Sequence, residues 1–435
     1  MKPSELSYSY TRFWQDGFYS AGAVEIDGTR LMRFRINESV CFSLPLEAAR
    51  KAAAKEGRKL VLAFLTEEEA VTLPRPGWIL REHGNGPDYI YLQSDLSALK
   101  GSKFQAKRNH IHRFEQLGAW RYGPLEAADA LKVLEGWCAE NDLDGEARLE
   151  SHAIRSLLAE GWSCGGVLYQ KERPVAFAMG ERLDDETMLV AYEKALDVPG
   201  AYAMINREFA RREGAGFKYL NRASADGHPN LVKAKESYHP VLKLRKYYAV
   251  ETPCELATSA DTDELVELWQ EAFGDAAEGA RWFFDHVDGE KLVLREAGRI
   301  VAMATLVDQH AAHAWQSLSD DATACRVTVG SYLYAVAVRK DCRGRGLGTE
   351  IVHTACALHH HGVALCPASP DLIDYYTSLG FSVSSPAERR EIIPDAFTRG
   401  FYHACGVTDD TRLFCELATM TKPACPGYRV AQPMN

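Results

Sequence analysis

Apolar positions along the chain change period several times, and each change marks a different element. Over residues 291–308 apolar and polar residues alternate on both sides of Ala297-Gly298, which predicts a β-hairpin. Before it, Leu265, Leu268, Trp269, Ala272 and Phe273 recur at helical spacing behind the capping residues Asp261-Thr262-Asp263, with a short strand over residues 254–260. After it, SYLYAVAV at Ser331–Val338 reads as a strand. A glycine-rich turn then opens a helix carrying Ile351, Val352, Ala355 and Leu358. A strand over 363–366, a helix over 371–379 and a strand over 381–383 follow. This order predicts an α/β fold, an α+β arrangement around a mixed sheet. Upstream, residues 125–249 run through the same order without the glycine loop: helices, a hairpin at Lys171-Glu172-Arg173-Pro174, then strand, helix, strand, helix, strand. There the helices fall at 201–211 and 229–238, and the strands at 217–221 and 241–248. A strand at 88–92 precedes a helical face of Phe104, Ile111, Phe114 and Leu117.

Length and composition bound this picture. The 435 residues suffice for two or three domains, and 46% hydrophobic with 25% charged residues is ordinary for a soluble globular protein. The first ten residues lack a charged segment followed by an apolar run, so no signal peptide is expected. No stretch approaches the roughly 18–20 apolar residues of a membrane span. Eleven cysteines without a CxxC pair point to reduced thiols in a cytoplasmic protein, with no disulfide framework and no metal site. Cys356, Cys366 and Cys415 sit in apolar runs and read as small core residues. Charge is uneven: residues 251–435 hold 15 Lys+Arg against 26 Asp+Glu, net −11, leaving 35 and 34 for residues 1–250, net +1. The main boundary is therefore placed at Thr252-Pro253, between domains at 1–250 and 254–420.

The turn Arg343-Gly344-Arg345-Gly346-Leu347-Gly348 carries the most chemistry. Glycines admit a ligand close to the backbone, the first helical amides lack partners, and the dipole adds positive potential. Arg343 and Arg345 can add charge-assisted bonds. Alone, such a string fits an ordinary turn as well as a pyrophosphate cradle. The stretch from about 254 to 383 resembles the GNAT superfamily of acyl-CoA N-acyltransferases on two motifs. Arg343, Gly346 and Gly348 match its Arg/Gln-x-x-Gly-x-Gly/Ala motif, and Tyr376 with Gly380-Phe381 matches its later Tyr and Gly-Phe pair. The resemblance implies a GNAT fold that takes acetyl-CoA or another acyl-CoA on Arg343, Gly344, Arg345, Gly346, Leu347, Gly348 and Thr349. It implies that backbone N–H groups near Ala337 and Val338 steady the oxyanion and that Tyr376 is the general acid, with Tyr375 its nearest competitor. The base is undetermined, His310, His313 and a water chain being candidates. His359, His360 and His361 end a helix and read as complements to its dipole.

In the N-terminal region six basic residues, Lys100, Lys103, Lys107, Arg108, Arg113 and Arg121, face a single acid, Glu115. Such density suits a phosphate or other polyanion, with Lys103, Lys107 and Arg108 as the expected acceptor or anion contacts. Carboxylates of the acidic C-terminal domain, reaching across an interface, are the plainer way to offset the charge. Asp88–Leu92, residues 103–114, GAYAMINREF at 200–209 and KAKESYHP at 233–240 resemble the family built on the C-terminal domain of phosphatidylglycerol lysyltransferase. That resemblance implies a pair of GNAT-like halves, about 1–124 and 125–250, in proteins that pass aminoacyl groups from tRNA. The expected function is acyl transfer from acyl-CoA to an amine of an acceptor that the sequence does not name. The alternatives are an aminoacyl-tRNA-dependent transferase and an inactive acyl-CoA-binding sensor. A net charge of +1 disfavours tRNA as partner, and the lack of a membrane span argues against a lipid acceptor.

Overall fold

The structure, a computed structural model, describes residues 1–13, 19–36, 39–84, 86–141, 145–308, 331–359, 362–365, 367–369, 371–383 and 420–423. Three mixed sheets hold the chain together. The first has six strands in the order Tyr19–Ile26, Thr29–Ile36, Ser39–Phe42, Val61–Thr66, Lys246–Glu251, Trp78–Glu82. The second has seven: Leu242–Leu244, Asp88–Leu92, Tyr219–Asn221, Thr187–Ala195, Arg173–Arg182, Gly165–Gln170, Trp120–Pro124. The third, also of seven, runs Glu255–Leu256, Glu290–Glu296, Arg299–Asp308, Ser331–Val338, Gly362–Leu365, Met420–Pro423, Ser382–Val383.

The hairpins form where alternation predicts them. Glu290–Glu296 pairs antiparallel with Arg299–Asp308 around Ala297-Gly298, both residues at positive φ as a tight turn requires. The second sheet carries Ala127–Glu140 and Gly145–Ala159 against one face, and Gln105–Glu115 with Ala201–Arg212 against the other. The expected face of Phe104, Ile111 and Phe114 is buried there. On the third sheet Thr262–Phe273 and Ala277–His286 cover one face, packing Trp269 against Phe283 and Tyr334. Leu347–Leu358 covers the other face. The helix Ala277–His286 was not among the expected elements, although Ala280, Phe283, Phe284 and Val287 carry its helical spacing.

Two expectations need correction. The strand expected over 241–248 is two strands in different sheets. Leu242–Leu244 pairs with Asp88–Leu92 in the second sheet, and Lys246–Glu251 inserts between Val61–Thr66 and Trp78–Glu82 in the first. The division of the N-terminal region near 124/125 also moves. Strands Asp88–Leu92 and Trp120–Pro124 both belong to the second sheet, helix Gln105–Glu115 packs against it, and the last strand of the region returns to the first.

The cause of this exchange is a buried ion cluster. Lys246 meets Asp88 at 2.8 Å and also binds Glu5, and both Lys246 and Asp88 have fully buried side chains. Asp88 further accepts from the Ser4 amide at 2.8 Å and from Asn221 at 2.9 Å. One cation thus ties the N-terminal turn, the second sheet and the first sheet together. Removing one member leaves an uncompensated charge in the interior, the costly outcome for a buried pair. Among the described residues no helix is long and apolar enough to cross a membrane, and no group of three or more His, Cys, Asp or Glu could hold a metal ion.

The cluster sets a pH response. Burial, reinforced by neighbouring Asp88, raises the Glu5 carboxyl from 4.5 to about 7 despite Lys246. Burial also opposes the ionisation of Asp88, yet Lys246, Asn221 and the Ser4 amide hold it below its usual range. The folded state therefore keeps a proton on Glu5 that the unfolded chain has lost. The stability Glu5 contributes is complete below about pH 4.5 and is lost as pH rises through about 7. Asp88 acts with opposite sign, but below that window. Urea unfolding of wild type and Glu5→Gln at pH 5 and pH 7.5 checks this: the wild type loses more stability over the interval than the variant. Parallel profiles contradict it.

Candidate functional site

Strand Ser331–Val338 is the frame of the site. Its pairing with Arg299–Asp308 shifts between Met303↔Ala337 and Thr305↔Tyr334, a bulge at which Ala335 takes φ +52°. On the other edge it pairs with Gly362–Leu365 through Ser331↔Val363 and Tyr332↔Ala364 alone. Beyond Tyr332 these two strands part among the described residues. Ala337 and Val338 lie at the open end, at the mouth of the loop.

The loop is pinned from behind. Arg339 is buried, donates to the Ile300 carbonyl at 2.8 Å and meets Glu271 at 3.2 Å. Glu271 also accepts from the Lys340 amide at 2.6 Å, which, with Arg339, holds its carboxyl below the usual range. After the turn Lys340–Cys342 the chain passes Gly344 at φ +74° and Gly346 at φ +81°. Gly346 is the N-cap of Leu347–Leu358, and no side chain caps that helix. Its first amides therefore lack partners within the helix and face outward with the positive end of the dipole. A Cβ at Gly344 or Gly346 would meet nothing within 4 Å, so these glycines serve the left-handed turn and leave open space over it. Gly348 is different: a Cβ there would lie 3.2 Å from the Tyr375 hydroxyl and 3.6 Å from Val338.

The side chains divide. Arg345 makes a two-pronged pair with Glu296 of the hairpin, at 2.9 and 2.6 Å. Arg343 is exposed, donates to the Val338 carbonyl at 3.2 Å, and has no carboxylate partner among the described residues. Thr349 meets the Tyr375 hydroxyl at 3.3 Å. Tyr376 is buried, 6% exposed, between Tyr375 and Phe381. Burial, with a smaller contribution from Tyr375, lifts its hydroxyl above the ordinary tyrosine range. That hydroxyl makes no hydrogen bond among the described residues. His310, His313, His360 and His361 lie outside the described residues. His359 meets Ser331 at 2.5 Å and Arg81 at 2.9 Å, a structural position between domains.

The second sheet repeats this architecture with a different outcome. Thr187–Ala195 has a bulge between Val190 and Tyr192 and pairs with Tyr219–Asn221 at three positions before parting from it. Helix Ala201–Arg212 begins at Gly200, φ +82°, again without a side-chain cap. Here a Cβ would fall 2.0 Å from the His110 carbonyl oxygen, because Gln105–Glu115 lies across the turn. The corresponding helix beside the first sheet, Leu46–Lys55, starts at Pro45 without a glycine turn. The loop at Gly346 is the open one of the three.

The basic segment is engaged locally, and not by the C-terminal domain. Lys103 pairs with Asp95 at 2.9 Å. Arg108 donates to the Leu99 and Gly101 carbonyls at 2.5 and 2.7 Å. Lys107 points inward, bonds Ser237 at 2.6 Å and lies over the Tyr238 ring. Burial, then Arg222, brings its amine down to about 8. Around it stand Arg222 and Glu193, 3.4 Å apart, and Asn206, whose Nδ2 donates to Glu193 at 3.2 Å while its buried Oδ1 finds no partner among the described residues. This cluster was missed from sequence, where Glu193, Asn206 and Arg222 are spread over three elements.

Comparison with known proteins follows the same division. Residues 40–250 match the family described as phosphatidylglycerol lysyltransferase, C-terminal, and residues 288–383 match the acetyltransferase (GNAT) domain, so both matches are to acyl-transfer domains. A conserved protein of unknown function from Bacteroides thetaiotaomicron is 33% identical, over 58% of this chain and 92% of that one, with TM-score 0.52. L-PGS from Bacillus licheniformis is 14% identical, over 54% and 84%, TM-score 0.40. A GNAT family acetyltransferase from Brucella melitensis, solved in complex with acetyl-CoA, is 16% identical, over 30% and 81%, TM-score 0.22. No curated protein matches the chain.

The contrast between the two glycine turns is measurable. Gly346→Ala meets open space and costs the left-handed conformation alone, about 1–2 kcal/mol. Gly200→Ala adds a collision with backbone, for about 2–5 kcal/mol in total. Urea midpoints of the two variants check the order, and an equal or smaller loss for Gly200→Ala refutes the covered turn.

Proposed function

Because the chain joins a domain of the phosphatidylglycerol lysyltransferase C-terminal-like family to a GNAT acetyltransferase domain, we propose that it is an N-acyltransferase drawing an acyl group, in the simplest case acetyl, from acyl-CoA. The observation that carries this reading is the open Gly346 turn at an uncapped helix N-terminus, beside a strand whose pairing with Gly362–Leu365 covers Ser331 and Tyr332. Pyrophosphate would lie on the amides of residues 344–349, with Arg343 as the available cation. The pantetheine arm would run along strand Ser331–Val338 and bring the thioester near Ala337 and Val338, where backbone N–H groups can stabilise the oxyanion.

The reaction then needs few groups. A neutral amine attacks the thioester carbonyl, the C–N bond forms as the C–S bond breaks, the nitrogen gives up its extra proton to water, and the departing thiolate takes a proton. Tyr376 is the proposed donor: a tyrosine hydroxyl is protonated near neutral pH, burial makes this one a weaker acid, and it has no competing partner among the described residues. Tyr375 serves instead to close the loop, through Thr349 and against Gly348. Neither reading assigns the acceptor.

A second reading, aminoacyl transfer in the N-terminal region, has one observation in its favour. Glu193, Arg222, Lys107 and the Asn206 oxygen, unpartnered among the described residues, form a polar cluster where the strands of the second sheet part. The engagement of Lys103 and Arg108 within the fold leaves less free positive charge for tRNA than the sequence suggests.

Acetyl-CoA turnover, read as free thiol release with a panel of amines, tests the first reading. Tyr376→Phe should lower kcat by about 10²- to 10⁴-fold while leaving acetyl-CoA affinity and Tm nearly unchanged, since the lost hydroxyl has no structural bond. Full activity in the variant removes Tyr376 from the chemistry. Thermal stabilisation by charged tRNA and not by acetyl-CoA would hand the function to the second reading.

A further inference from the structure

The helix at the proposed site carries a charge in the wrong place for an anion. Glu350 lies in the first turn of Leu347–Leu358. A carboxylate there suits the helix dipole but opposes a pyrophosphate bound at the same N-terminus, within a Debye length of about 10 Å at 0.1 M salt. The structure offsets it from outside the domain. Lys59, which precedes strand Val61–Thr66 of the first sheet, reaches Glu350 at 2.6 Å, with both side chains partly buried at 20% and 30% exposure. Thr252 donates to the same carboxylate at 3.3 Å. Lys59 is also 3.5 Å from the Glu251 carbonyl, so its ammonium is held at the seam between the regions.

Resting on the acyl-CoA reading, we propose that Lys59 is a positioning residue of the acyl-CoA site, supplied by the N-terminal region, which neutralises Glu350 and so preserves the positive potential of the Gly346 turn. Among the described residues no cation of the C-terminal domain pairs with Glu350. That domain's Arg345 is committed to Glu296 and its Arg339 to Glu271 and the Ile300 carbonyl. The N-terminal region thereby becomes part of the site without touching the reacting atoms.

A double-mutant cycle on the full-length protein tests this, with acetyl-CoA binding measured by calorimetry at 50 mM and 500 mM salt. Lys59→Met should raise Kd about two- to five-fold at low salt, the range expected of one charge at a helix N-terminus. The change should shrink at high salt. Lys59→Met/Glu350→Gln should return Kd to the wild-type value or below it, because the charge needing an offset is gone. Lys59→Arg should stay at the wild-type value. Tm of each variant separates loss of packing, which neither salt nor Glu350→Gln would repair. An unchanged Kd in Lys59→Met, or a double variant as weak as the single one, overturns the inference while leaving the acyl-CoA reading intact. A wild type that does not bind acetyl-CoA overturns both.

Discussion

Helix Leu347–Leu358 is wedged between two sheets, and the rest of the arrangement depends on that placement. Ile351, Val352, Ala355 and Leu358 are 0–1% exposed and share one core with Val61, Phe64, Tyr248 and Val250 of the first sheet and Leu292, Ala304 and Leu333 of the third. Burying each larger aliphatic side chain contributes about 1.5–3 kcal/mol, so the contact outweighs any single polar bond at the seam. The polar bonds fix its orientation instead. Tyr248 donates to the Leu358 carbonyl at 2.7 Å at one end, and Thr252 meets Thr354 at 2.7 Å midway. The helix that begins at the open Gly346 turn is thus aimed by two regions at once.

The chain contains the same local plan, strand, turn, helix, parallel strand, beside each of its sheets, and the turn decides what each copy can do. Pro45 starts one helix without a glycine. Gly200 starts the second under the His110 carbonyl, and Gly346 starts the third in open space. The covered copy places a carboxylate, a guanidinium and a desolvated amine where its strands part, whereas the open copy offers backbone amides. The buried cluster of Lys246, Asp88 and Glu5 keeps the first two copies in register, so the seam that supports the third is built on a fixed base.

What the sequence made legible was local. Alternation around Ala297-Gly298 and helical spacing behind Asp261 located their elements, and the glycine turn was visible as a string because its conformation needs glycine at Gly344 and Gly346. What it hid was long-range. A period of two cannot tell which sheet a strand joins, so Leu242–Leu244 and Lys246–Glu251 read as one strand until Lys246 is seen turning to Asp88. The basic segment read as a free patch because its partners are backbone carbonyls and residues far along the chain, such as Ser237 and Tyr238. The pairing of Arg345 was hidden because Glu296 is 49 residues away. The register of Tyr376 before Gly380-Phe381 was visible in the sequence, whereas its burial and the contact of Tyr375 with Thr349 needed coordinates.

The central claim is that this chain has one open cradle for the phosphates of acyl-CoA, at Gly346, and that the equivalent turn at Gly200 is closed. Hydrogen–deuterium exchange of the full-length protein with and without acetyl-CoA measures both turns in one experiment. The account predicts slowed exchange in peptides spanning residues 343–350 and none in those spanning 198–206. Unchanged exchange at 343–350, or protection at 198–206, would contradict it.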